Sequence, residues 1–168
     1  LAMMVRHPHV EHYDLSSLRA WWCVGAPVSS QLRAETEEKL GGIVIVGLGA
    51  TDFGGTTATR FDDPPEVRFL TVGKGRGGTE IKLVDDAGKE RAKGEMGEIW
   101  GRGPGCSSGY YKDPDSTRES WTKDGWFKMG DLGKFEEQGN LLVVGRKKDM
   151  IIRGGQNIYP VEIEDLLF

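Results

Sequence analysis

A chain of 168 residues with 38% hydrophobic and 29% charged residues is long enough to bury a core and has the make-up of a globular domain. Its formal net charge of -4 offers no basic face to a nucleic-acid backbone, and no apolar run approaches the ~20 residues that cross a bilayer. Cys23 and Cys106 stand far apart without metal-ligand spacing, so a reducing cytoplasm is the expected setting.

The chain opens at Leu1 and reaches Met3-Met4 before Arg6, without an initiator Met or the order of a signal peptide, from which a missing upstream segment is expected. Ala20 to Val24 predicts a short buried strand that stops at Gly25-Ala26-Pro27. Ser29 or Ser30 then caps a predicted helix through Leu40, with Glu35 and Lys39 four apart in the favourable order and Gly41-Gly42 as the stop. Ile43 to Val46 predicts a second strand, so that strand, helix and strand form a crossover onto a parallel sheet over residues 1–65. From Glu66 the periodicity changes. Val67–Val72, Thr79–Val84, Glu98–Arg102 and Leu141–Val144 read as short strands between turns, the texture of a small antiparallel sheet or barrel over residues 66–145. Near Gly145 a third segment begins, strand-like at Met150–Ile152, with a helix opening at Pro160. Its apolar residues Ile163, Leu166 and Leu167 start a stripe that nothing downstream covers, so a C-terminal truncation is expected. The fold class is therefore mixed α/β.

Two motifs are matched only in letters. Gly73-Lys74-Gly75-Arg76-Gly77-Gly78 contains GxGxxG, but a strand-like segment follows where a dinucleotide site needs a helix. Gly105-Cys106-Ser107-Ser108-Gly109 matches GxSxG, but Tyr110 to Pro114 replaces the helix of a hydrolase elbow. His7, His9 and His12, with Glu11, are expected on a solvated stretch rather than around a metal, since Pro8 breaks any helix that would align them. Thr51 and Asp52 are stronger candidates. They follow a strand on a glycine-permitted turn, where a hydroxyl could reach a phosphate oxygen and a carboxylate could hold a divalent cation; an Asx-type turn is the alternative. Asp131 after Gly130, and Arg146 after Gly145, are each ambiguous singly.

Taken together, Gly25-Ala26-Pro27, the GLGATD of 47–52, GEIWGRGPGCSSGYYKDPDST of 97–117, DGWFKMGD of 124–131 and GRKKDMIIRGGQNIYPVEIE of 145–164 resemble the adenylate-forming superfamily. That superfamily comprises acyl-CoA synthetases, aryl-acid adenylating enzymes, peptide-synthetase adenylation domains and firefly luciferases. The likeness runs through essentially the whole chain, and the last motif is the most specific. It implies that Gly25, Ala26, Pro27, Gly47, Leu48, Gly49 and Thr51 line adenine and acyl sites, with Thr51 near the α-phosphate and Asp52 near Mg²⁺. It further implies that Asp131 accepts from the ribose hydroxyls and that Arg146 approaches the same sugar with its guanidinium fork. Lys148 falls at the hinge of 146–149, residues 150–168 begin a C-terminal domain, and Gly155 falls where pantetheine passes. Leu48 stands where the family commonly has an aromatic ring, and Asp52 where it has glutamate.

The implied activity is ATP-dependent, AMP-forming ligation of a carboxylic acid to coenzyme A, by carboxylate attack on the α-phosphate and then thiol attack on the mixed anhydride. An aryl-acid ligase that loads a carrier protein is the alternative within this chemistry, prompted by Arg60 to Pro64 and Val72 to Gly75. A non-catalytic binding or assembly module, forming homo-oligomers through exposed edges, is the alternative of another class. No Ser/Thr/Gly-rich phosphate loop followed by Pro-Lys occurs in the sequence, and the family's catalytic lysine is expected beyond Phe168. A fragment that is inactive by itself is the resulting expectation.

Overall fold

The computed structural model describes residues 1–153, 156–160 and 163. A short helix α1 (Ala2–Val5) and a 3-10 turn, Val10–His12, lead into β1 (Ala20–Cys23). Helix α2 (Ser30–Leu40) begins where the Leu32 N–H donates to Ser29 Oγ, and it stops at Gly41, whose φ of 68° is in the left-handed region open to glycine. Glu35 accepts from Gln31 at 2.9 Å rather than pairing with Lys39. β2 (Ile43–Val46) lies parallel to β1, from Ala20 opposite Ile43 to Cys23 opposite Val46, as the strand-helix-strand pattern predicts.

Polar groups lock this layer. Buried Arg33 donates to the carbonyls of Val28, Arg68 and Thr71, while Glu37 pairs with Arg68 and accepts the Val44 N–H at 2.8 Å. A short hairpin of β3 (Gly49–Ala50) and β4 (Gly54–Gly55) follows, then β5 (Thr57–Ala58). The next segment corrects an expectation, because residues read as a strand from Val67 form helix α3 (Pro65–Leu70). Pro65 in the first turn and Glu66 beside it are helix-start signals that outweigh the apolar run. The end of that run, at Thr71 and Val72, lies in neither helix nor strand, and the Val72 N–H donates to Leu141 O at 2.8 Å.

β6 (Lys74–Gly75) pairs with β5, so the GxGxxG letters form a turn. A Cβ on Gly73 would lie 2.1 Å from the Ala58 carbonyl oxygen, and the residue has a φ of 72°. Close backbone crossing, not a phosphate, accounts for this glycine. β7 (Glu80–Val84), β8 (Gly97–Arg102), helix α4 (Pro114–Ser120), β9 (Phe127–Phe135) and β10 (Leu141–Arg146) complete the described core. The four long strands form an antiparallel sheet in the order β10-β9-β8-β7, an open sheet rather than a closed barrel. The longest, β9, is not foreshadowed by alternation, because Gly130, Asp131 and Gly133 interrupt its apolar pattern.

One buried cluster unites both halves: Val44 and Val46 from the parallel layer, Leu83, Ile99, Phe127, Met129 and Leu141 from the antiparallel sheet, and Phe53 between them. Beyond β10 come a 3-10 turn, Lys147–Asp149, and a hairpin of β11 (Ile151–Arg153) and β12 (Gln156–Ile158). The expected apolar stripe of the last helix lies outside the described residues, except for Ile163, which is exposed. Among the described residues no helix is long and apolar enough to cross a membrane.

Candidate functional site

β1 and β2 run parallel, so both release the chain at the same edge of the sheet, where α/β layers bind ligands. The Gly47 N–H donates to Cys23 O at 3.1 Å and sets the two exits side by side. Gly25, Ala26 and Pro27 form the exposed loop after β1. Gly47 is buried, and a Cβ there would lie 2.6 Å from the Thr57 carbonyl oxygen; at Gly49 it would lie 2.8 Å from Gly54 O. Both glycines are thus required by backbone approach. Leu48 is half-buried against the core, and its carbonyl accepts from the Thr56 and Thr57 N–H groups and from the Thr56 hydroxyl.

This hairpin presents Thr51 and Asp52 at its tip. Phe53 is its root, 2% exposed and stacked on Phe127 with ring centroids 6.1 Å apart. Asp52 O accepts the Ser107 N–H at 2.9 Å, so the GxSxG letters belong to a loop that braces the tip. No helix follows that serine before Pro114. Thr51 is exposed and Asp52 half-buried, and neither side chain has a hydrogen bond or ion pair among the described residues.

The second part of the site is built from two irregularities of β9. Against β8, Trp100 faces Lys128 and Glu98 faces Leu132, so β9 spends Met129, Gly130 and Asp131 where β8 spends Ile99. Gly130 allows this bulge with a φ of 72°, and a Cβ there would meet open space. Against β10 the register shifts between Val143 and Gly145, which brings Arg146 opposite Asp131. Arg146 Nε donates to Asp131 Oδ1 at 3.1 Å.

The Asp131 side chain is 13% exposed and that of Arg146 is 55% exposed. Burial pushes the Asp131 carboxyl above the ordinary aspartate range, a push that Arg146 opposes and Asp149 reinforces. Met129, Gly130, Arg146, Lys147 and Lys148 line a cavity of about 440 Å³ beside this pair.

The structure therefore brings Asp131, Arg146 and Lys148 together and gives Thr51 and Asp52 a separate turn rooted in the same core. Gly155 lies outside the described residues. His7, His9 and His12 are exposed, and among the described residues no three or more His, Cys, Asp or Glu side chains could hold a metal ion. Asp52 fits Mg²⁺ only as the single carboxylate that such an ion needs when phosphates supply its other ligands. The sequence reading missed Met129 and Gly130 as cavity-lining residues, and Lys147 as an ion-pairing one. All three lie inside the segments 124–131 and 145–164, but only the bulge and the ion pairs give them a role.

Against known families, the model described as "AMP-binding enzyme" matches residues 1–111. This chain belongs to that family. The medium-chain fatty-acid–CoA ligase of Escherichia coli is 37% identical over 92% of this chain and 27% of its own length. The anthranilate CoA ligase AuaEII, solved with anthranoyl-AMP, superposes with a TM-score of 0.90 at 30% identity over 99% of this chain and 32% of that one. MatB from Rhodopseudomonas palustris, solved with ATP bound, gives 0.86 at 31% identity over 97% of this chain and 32% of that one. The chain thus spans less than a third of the length of each of these relatives.

Proposed function

We propose that this chain is the part of an ATP-dependent, AMP-forming carboxylic acid:CoA ligase that holds the ribose and α-phosphate of the nucleotide. The observation that carries the reading is the Asp131–Arg146 pair, set face to face across β9 and β10 beside an open cavity. Asp131 Oδ1 is engaged by Arg146, which leaves Oδ2 to accept from a ribose hydroxyl, while the half-exposed guanidinium can donate to the sugar's oxygens.

At the other turn, the Thr51 hydroxyl donates to an α-phosphate oxygen as the substrate carboxylate attacks that phosphorus and pyrophosphate leaves. Asp52 would hold the Mg²⁺ that accompanies the phosphates, and the metal would supply charge neutralisation there. Gly25, Ala26, Pro27, Gly47, Leu48 and Gly49 form the walls toward adenine and acyl group. Coenzyme A then takes the acyl group by thiol attack on the anhydride carbonyl, releasing AMP, with Gly155 on the thiol's route. In this reading residues 1–65 end the α/β subdomain, 66–145 form the β subdomain, 146–149 are the hinge about Lys148, and 150–168 begin the next domain. The two solved relatives, carrying ATP and an acyl-adenylate, support the nucleotide assignment.

The test is equilibrium binding of AMP and of adenosine to the chain and to its Asp131→Ala variant. Removing a charged acceptor worth roughly 1.5–3 kcal/mol should weaken both ligands about tenfold to a hundredfold. Unchanged AMP affinity would place the ribose elsewhere.

A further inference from the structure

The antiparallel sheet carries an ion cluster that the nucleotide reading does not use. Lys147 Nζ lies 2.9 Å from Asp86 Oδ1, on the loop between β7 and β8, and 3.1 Å from Glu98 Oε2 on β8. The two carboxylates differ sharply in setting. The Asp86 side chain is 93% exposed, whereas that of Glu98 is 12% exposed. Glu98 stands opposite Val84 on one side and Leu132 on the other, both buried. Its carboxylate has therefore lost most of its water between two apolar neighbours, and Lys147 is the cation that compensates it. Lys148, the next residue, has no hydrogen bond or ion pair among the described residues.

We propose that Lys147 is a positioning residue: it pins the sheet side of the pivot, so that reorientation of the following segment starts at Lys148. This rests on the hinge reading of Lys148. The same geometry makes Glu98 a two-way element. Paired, it holds the 147–149 turn on the sheet; unpaired, its charge regains water only when that turn lifts away.

Hydrogen exchange of the backbone amides of 147–153 tests the clamp in the 168-residue chain without nucleotide. Lys147→Met should speed that exchange roughly three- to tenfold and leave β7, β8 and β9 unchanged. Adding Glu98→Gln to Lys147→Met should slow exchange back toward the original rate, because the uncompensated charge is gone. Lys147→Arg should keep the original rate. Asp86→Asn, at an exposed loop position that cannot compromise folding, should change it by less than about twofold.

An unchanged rate in Lys147→Met would overturn the proposal. So would acceleration spread over the whole sheet, which marks ordinary stability, or a double variant faster than the single one. AMP binding by Asp131→Ala is read separately, so a failed clamp and a failed ribose site remain distinguishable.

Discussion

The two parts of the candidate site hold their polar groups in place by opposite means. The hairpin carrying Thr51 and Asp52 is fixed from below, by Phe53 in the core and by glycines that let backbone meet backbone, and the Thr51 and Asp52 side chains have no hydrogen-bond or ion-pair partner among the described residues. The β9–β10 pair is fixed through the functional groups themselves, since Arg146 orients Asp131 and consumes one of its oxygens. An apolar root leaves all of a residue's hydrogen-bonding capacity for a ligand. An ion pair spends some of that capacity on order, and it ties the protonation of one group to the presence of the other.

Breaking the apolar root should have the largest effect. Phe53→Ala removes a ring that is 2% exposed, and it should cost about 3–5 kcal/mol in urea unfolding while releasing the Ser107 amide to exchange. A loss under about 1 kcal/mol would show that the hairpin is held from elsewhere.

Next comes the roughly 1.5–3 kcal/mol binding loss in Asp131→Ala, which adenosine and AMP should share because both carry the ribose. A smaller effect separates binding from folding at the same residue. Since burial raises the folded-state pKa of Asp131, ionising it costs stability as pH climbs from about 4 through that raised value. Asp131→Asn should therefore melt slightly higher than the parent at pH 7 and show no advantage below about pH 4, although it binds AMP less well. A lower melting temperature at pH 7 would mean that the Arg146 pair outweighs the burial.

The smallest structural effect is expected at the hairpin tip. Thr51→Ala should leave unfolding within about 0.5 kcal/mol of the parent, weaken AMP severalfold, and leave adenosine unchanged. Equal weakening of both nucleotides would erase the distinction between a phosphate side and a ribose side.

The parallel layer was legible in the sequence because its signals are local: the β-branched run of Ile43–Val46, the Ser29 cap and the Gly41 stop each act within a few residues. Thr51 and Asp52 were legible as candidates for the same reason. Helix α3 was misread, because an apolar run from Val67 was weighed above Pro65 and Glu66 before it. Strand β9 was missed, because a strand that bulges loses the alternation that announces strands. Asp131 and Arg146 could be named only by family likeness. Their meeting depends on a cross-strand register that no local pattern encodes, and Lys147 depends on carboxylates 61 and 49 residues away in the chain.

The register shift in β10 carries one more consequence, for how such a chain tolerates change over generations. Val143 faces Gly133 and Gly145 faces Leu132, so Val144 is a supernumerary residue in the ladder. Arg146 lies opposite Asp131 because the ladder skips that residue, whatever its side chain. Replacing Val144 should be forgiven. Deleting it should be forgiven as well, since a ladder without the bulge still places Gly145 opposite Leu132 and Arg146 opposite Asp131. At this point the gene can lose a codon without losing the pair, because the extra residue stands outside the count that matches the two strands.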